Sequence, residues 1–301
     1  MSSQLSAQFG FGKVEDINAL KDRTLLVELK VPNEKKLKKL SKKPEKLAEY
    51  KSAIENYNNS IKKGFENWSY SKNVEFVTLE RIEEIEDNKK QRENYAYFKT
   101  FVIEAPISSS RGSMPEYTYS LGLMEERKPI FSMQYDSFRD FNKADAIFVA
   151  QQFDFYFKGR IKLDDKKFKR KDLLNEMKEN AKMLKSKTLY LDKERMSSGL
   201  ENDLKSLYKY NYKLASKEEI DNAIINGTEG IVYVKFVPVA QASGGGMVKI
   251  SKRKYAQYFV DAETGQTIAF LAPGMSVGLV GGGNSKTSKG DIKSILKMIE
   301  D

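Results

Sequence analysis

Two glycine-rich runs, one aromatic strand and three carboxylate pairs are the places where residue type and spacing invite a chemical reading. Gly281-Gly282-Gly283-Asn284-Ser285-Lys286-Thr287 sets a flexible turn ahead of Lys and Thr, the order in which a phosphate-binding loop wraps its anion. That loop needs Gly directly before the Lys and another five residues earlier. Ser285 and Val280 stand there, so the run reads as a linker into a terminal helix near 291–299. Ser243-Gly244-Gly245-Gly246 reads as the tip of a long hairpin. Tyr95-Ala96-Tyr97 echoes the centre of an RNA-recognition strand, but Glu93, Asn94 and Thr100 occupy the flanking positions where a basic residue, Gly and a third aromatic belong. Cross-strand packing is the expectation for these rings. Asp164-Asp165, Glu83-Glu84 and Glu218-Glu219 are adjacent, and neighbours in sequence do not converge on one face of a helix or strand. They read as loop and cap charges, and Asp145, ahead of Ala146-Ile147-Phe148-Val149, reads as a helix cap.

Composition narrows the chemistry further. The chain of 301 residues has neither His nor Cys, which removes the imidazole base, the thiolate nucleophile and disulfides. It also removes the usual ligands of zinc, haem and iron–sulfur centres. No cofactor or metal is expected, no dyad of the remaining groups is legible, and the expectation is a protein without catalysis. Lys and Arg exceed Asp and Glu by 52 to 42, a net charge of +10. At 40% hydrophobic residues there is enough apolar surface for ordinary cores, and nothing approaches the 18 or so apolar residues of a spanning helix. Residues 1–12 read as a flexible tail. Within it, Leu5-Ser6-Ala7 before Gln8 resembles the small-residue end of a secretory signal whose apolar part is not in this chain, which points to a periplasmic or secreted address.

The organisation is that of a repeat. The run 15–27, Glu-Asp-Ile-Asn-Ala-Leu-Lys-Asp-Arg-Thr-Leu-Leu-Val, lines up without a gap on 179–191, Glu-Asn-Ala-Lys-Met-Leu-Lys-Ser-Lys-Thr-Leu-Tyr-Leu. In both, a helical turn ends in basic residues and Thr24 or Thr188 starts an apolar strand. Residues 75–82 parallel 213–220, each a strand running into a capped helix; Ser216 with Glu219 has capping-box spacing. Strands are expected over 95–104 and 231–239, then 117–124 and 255–260. The turn 261–266, containing Glu263-Thr264-Gly265, leads to a last strand at 267–271, whose counterpart is expected at 128–133. The fold class is α/β (α+β): two tandem, duplicated domains, each a mixed β-sheet with helices packed on it. Domain 1 is set at 13–160, a basic linker at 161–178 and domain 2 at 179–301.

The copies differ between their first two strands. Copy one inserts a long helix starting at Pro44, with Leu47, Tyr50, Ile54, Tyr57, Ile61, Phe65 and Trp68 at steps of three and four along one face. Copy two keeps only a short helix over 199–208. The insertion is approached by Lys35, Lys36, Lys38, Lys39, Lys42, Lys43 and Lys46, and a second cluster is Lys166, Lys167, Lys169, Arg170 and Lys171. Such runs suit an acidic partner, nucleic acid or anionic headgroups. The candidate contact residues are Lys35, Lys36, Lys38, Lys39, Lys42 and Lys43, with Gly281, Gly282, Gly283 and Lys286.

Thr24-Leu25-Leu26-Val27, the insertion ending in Trp68, and Glu75-Phe76-Val77-Thr78 resemble a type of secreted protein found in Cytophaga and Flavobacterium relatives. The order of elements in each copy is similar to the amino-terminal domain of TolB and to the periplasmic α/β domain of the curli secretion channel family. This resemblance implies an envelope location and protein–protein work, and it supplies no functional residues. The chain departs from the channel family in lacking a lipidation cysteine and pore-forming membrane hairpins, so neither anchoring nor pore formation is carried over. The expected function is a non-enzymatic accessory protein that binds another envelope protein, such as an outer-membrane export or assembly complex. The alternative is a basic module for nucleic acid or an anionic glycan or lipid, with nucleic acid the less expected partner.

Overall fold

The computed structural model describes residues 12–108, 112–126, 128–136, 138, 140–164, 170–243, 250–271 and 285–300. The chain forms two compact units, Met1–Glu104 with Pro115–Phe157, and Ala105–Met114 with Lys158–Asp301.

In the first unit, α1 (Val14–Ala19) and a 3-10 turn (Leu20–Asp22) lead into β1 (Thr24–Leu29). Helices α2 (Glu34–Leu40) and α3 (Pro44–Gly64) cross to β2 (Asn73–Thr78), and α4 (Leu79–Asp87) crosses to β3 (Tyr95–Ser108). Then come β4 (Gly112–Leu123), β5 (Phe131–Tyr135) and α5 (Lys143–Asp164). The second series is α6 (Arg170–Ala181), a 3-10 turn (Lys182–Lys185), β6 (Thr188–Asp192), α7 (Leu200–Leu207), β7 (Tyr212–Ala215) and α8 (Lys217–Ile225). It ends with β8 (Ile231–Ser243), β9 (Ile250–Asp261), β10 (Thr267–Leu271) and α9 (Lys289–Glu300).

The two sheets have the same strand order, β2-β1-β3-β4-β5 and β7-β6-β8-β9-β10. In each, the first strand lies between two parallel neighbours, and the outer pair, β4–β5 or β9–β10, is antiparallel. This is the mixed α/β architecture expected, twice over, and equivalent positions do equivalent work. Leu20 and Leu184, Leu25 and Leu189, and Val27 and Leu191 are each at most 1% exposed. Thr78 and Ser216 start α4 and α8 by accepting the N–H of Arg81 and Glu219, and Glu219 returns the bond to the Ser216 N–H at 2.8 Å, the expected capping box.

The repeat also extends to the last helix of each unit, which sequence comparison did not reach. Asn142-Lys143-Ala144-Asp145 starts α5 and Ser288-Lys289-Gly290-Asp291 starts α9. In both, the Asp accepts the N–H of the residue three earlier, at 3.0 and 2.7 Å, and its own N–H returns to that residue's side chain. The turn 261–266 forms as expected: Gly265 holds φ +70°, where a side chain is disfavoured, and the Asp261 carboxylate accepts the N–H groups of Glu263 and Thr264.

Some boundaries differ from expectation. Strands β3, β4, β8 and β9 run longer, because hairpin ladders continue past the sheet body; β8 touches β6 only at Ile231–Tyr233, yet pairs with β9 out to Ser243. Pro238 is tolerated because no strand lies on its other side. The strand expected at 128–133 is β5, Phe131–Tyr135, since Pro129 stands in the turn ahead of it. Residues 161–178, read as a linker, comprise the end of α5 and most of α6 where described, and α6 packs on β10 and α9.

Each sheet is covered on both faces. In the first unit, Leu26 and Tyr97 meet Ile82 and Ile85 of α4. On the opposite face Phe98 meets Phe65, the residue after α3 (centroids 4.6 Å apart), and Phe153 of α5 (5.5 Å). The second core joins Leu189, Val232, Phe259 and Ile268 to Leu200, Leu204, Ile292, Ile295 and Ile299.

Candidate partner-binding site

The elements that present the lysines are fixed from the sheet outward. At the end of β1, Asn58 of α3 grips Lys30 through both backbone groups, accepting its N–H at 2.8 Å and donating to its carbonyl at 2.9 Å. Asn33 donates its N–H to the Tyr50 hydroxyl and caps α2 by accepting the Lys36 N–H. Helix α3 starts at Pro44, as expected. It is seated by Ile54, Tyr57, Ile61 and the following Phe65, all at most 6% exposed. At its other end Gly64 lies so close to Ala146 that a Cβ would stand 2.6 Å from the Ala146 carbonyl oxygen. Leu47 and Tyr50 are only half-buried, so the apolar stripe fades toward the lysine-bearing end. Trp68 packs against Phe65, Tyr70 and Phe157.

Helix α2 has no buried residue. Lys35, Lys38, Lys39, Lys42, Lys43 and Lys46 are all exposed, and none forms an ion pair among the described residues. Lys36 differs: its ammonium lies 4.1 Å above the centre of the Tyr50 ring, a cation–π contact that draws it inward. Between residues 30 and 51 there are nine lysines, no arginine and three glutamates, a net +6 out of the whole chain's +10. Some lysines elsewhere are answered by a carboxylate, Lys99 by Glu86, Lys162 by Glu176, Lys213 by Glu219, Lys217 by Asp221 and Lys289 by Asp203; what sets this hairpin apart is the density of its lysines.

The other candidate residues lie in the second unit. Gly281, Gly282 and Gly283 are outside the described residues, as are the first eleven residues and Lys166, Lys167 and Lys169 of the second basic cluster. Lys286 is exposed, while Thr287 is 2% exposed and bound to the 195–197 segment, donating to the Arg195 carbonyl at 2.7 Å and accepting from the Ser197 N–H. The short helix expected in copy two is α7, which carries no comparable lysine cluster.

The remaining chemical groups resolve into structural roles. Glu83 and Glu84 are exposed on α4, and Glu84 pairs with Arg81. Lys213 and the Ser216 N–H hold the Glu219 carboxyl down to about 2. Tyr97 is packed under α4, and its phenol is pushed up to about 12 by burial and by Glu86. Sequence reasoning missed Glu28, a carboxylate 3% exposed at the end of β1. It accepts the Thr100 N–H at 2.6 Å and the Lys30 ammonium at 2.5 Å, giving β3 a side-chain acceptor where its backbone ladder with β1 ends. The signal was there: one charge inside Thr-Leu-Leu-Val-Glu-Leu. Nearby, burial raises the Tyr57, Tyr119 and Tyr135 phenols well above their ordinary value, and the Asp145 carboxylate adds to the last.

Two ion pairs recur in the repeat. Arg23, just before β1, grips Glu125 through both guanidinium nitrogens, and Lys187, just before β6, binds the buried Asp261. Burial pushes the Glu125 carboxyl up, but the Arg23 hydrogen bonds more than offset it and hold it below its ordinary value. Among the described residues no group of three His, Cys, Asp or Glu is placed to hold a metal ion, and no helix is long and apolar enough to cross a membrane. Compared with protein-family models, curated proteins and solved structures, the chain matches none.

Proposed function

We propose that this protein is a non-enzymatic accessory protein of the periplasm or the secreted space, which binds another cell-envelope protein through the α2–α3 hairpin of its first unit. The observation that carries the reading is the asymmetry of the duplication. Two copies share strand order, helix caps and partly buried ion pairs, and only one bears an insertion, whose exposed Lys35, Lys38, Lys39, Lys42, Lys43 and Lys46 have no intramolecular carboxylate partners among the described residues. Elaboration of one copy on a shared frame is what a recognition element grafted on a scaffold looks like, and unpaired surface charge sets partner choice and encounter rate. The resemblance to envelope α/β domains supports the address.

The test is affinity capture of the tagged full chain from native cell envelope at low and high salt, with co-purifying proteins identified and the purified pair recombined. Stoichiometric recovery and rebinding of one identified envelope protein supports the reading. Recovery of only nucleic acid or anionic polymer, or of nothing above background, overturns it.

A further inference from the structure

We infer that the partner presents a carboxylate-rich protein segment to Lys35, Lys38, Lys39, Lys42, Lys43 and Lys46. This rests on the reading of the hairpin as the binding site and names the chemistry it recognises. Charge decides the sign: a net +6 within 22 residues, in which Lys35, Lys38, Lys39, Lys42, Lys43 and Lys46 form no ion pair among the described residues, attracts an anionic surface and repels a basic one. Residue type decides among the anions. The chain has no arginine between Arg23 and Arg81, so the planar, two-pronged donor that nucleic-acid readers use for phosphates and base edges is missing from the hairpin. No large aromatic is exposed there either; the described exposed large apolar residues are Val31, Phe101, Val102 and Ile161. The one ring at the lysine-bearing end, Tyr50, is half-buried and already covered by Lys36, leaving no platform for stacking a base. A membrane surface would need an apolar face beside the lysines for firm anchoring, and Val31 alone does not make one. Lysine ammoniums on flexible stems suit carboxylates met as point charges, with modest geometric demands. The site is therefore a salt-sensitive acidic-peptide surface.

The test uses the full chain and three probes of similar charge: a glutamate homopeptide, a single-stranded oligonucleotide and phosphatidylglycerol vesicles. The expected result is that the peptide binds most tightly, and that its affinity falls roughly tenfold or more from low to high salt. In Lys38→Glu/Lys39→Glu/Lys42→Glu/Lys43→Glu the affinity should drop by at least about tenfold, and the Gln series should give an intermediate loss. All four side chains are exposed, so an unchanged melting curve shows that folding is retained. Tighter binding of the oligonucleotide or the vesicles, no binding by any probe, or peptide binding unaffected by charge reversal would each overturn the inference. The broader function fails separately: an envelope protein captured equally by wild type and variant leaves the envelope-binding role standing and removes both the acidic segment and these lysines as its contact, whereas peptide binding without any captured envelope protein removes the envelope-binding role and keeps the acidic-peptide surface.

Discussion

Glu28 joins a strand end to its neighbour, and its burial gives it weight out of proportion to one carboxylate. Replacing it with Ala leaves the Thr100 N–H and the Lys30 ammonium without their acceptor, an expected loss of about 2–4 kcal/mol. Gln, which keeps one acceptor, should recover part of it. Trp68 is the single tryptophan and lies in the first unit, so its fluorescence during urea unfolding reads the change; a loss below about 0.5 kcal/mol would show that water replaces the carboxylate freely. Glu219 makes a different prediction. Its folded-state value, about 2 against an ordinary 4.5, is depressed, so its contribution is fully present above pH 4.5 and fades as pH falls toward 2. The pair is nearly half exposed on both sides, which limits the size of the effect. Melting temperatures of wild type and Glu219→Gln should therefore converge between pH 4.5 and 2; a gap that stays constant with pH would assign the effect to the hydrogen-bond geometry of the cap instead of its charge.

Helix α3 combines a seated half with an exposed approach. Ile61 is fully buried, and Ile61→Ala should cost about 2–5 kcal/mol. Leu37 of α2 is half-exposed, and Leu37→Ala should cost less than about 1 kcal/mol; equal costs in urea unfolding would mean that α2 is as firmly packed as α3. This division shows how much the sequence could reveal. Pro44, the three-and-four spacing through Phe65 and the Ser216–Glu219 cap were legible because they are local and periodic. Glu28, Arg23–Glu125 and Lys187–Asp261 were not, because the partners are brought together only when strands distant in sequence align. The lysines were visible as a run, but the absence of carboxylate partners around them needed three dimensions. Strand ends were misjudged where a hairpin ladder, satisfied by its own backbone bonds, outran the apolar pattern.

For the whole molecule, the duplicated order β2-β1-β3-β4-β5 and β7-β6-β8-β9-β10 makes the two units physical counterparts. Asp145 and Asp291 should then be comparable: substituting Ala for either removes a reciprocal cap from the last helix of its unit, at about 1–2 kcal/mol. Each carboxylate has a further partner, Tyr135 for Asp145 and the Ser288 hydroxyl, which donates at 2.7 Å, for Asp291. Thermal unfolding of the two variants checks the equivalence, and a loss several times larger at one site would show that the caps do not do the same work. The frame is common to both copies and the lysine-bearing hairpin belongs to one, so the proposed division of labour is that the frame supports and the hairpin binds. Hydrogen exchange of the full chain, alone and with its recovered envelope partner, tests that division most directly. The account predicts added protection concentrated in residues 33–51, with the corresponding segment 193–211 of the second unit unchanged. Protection confined to the second unit, or absent from 33–51, would contradict it.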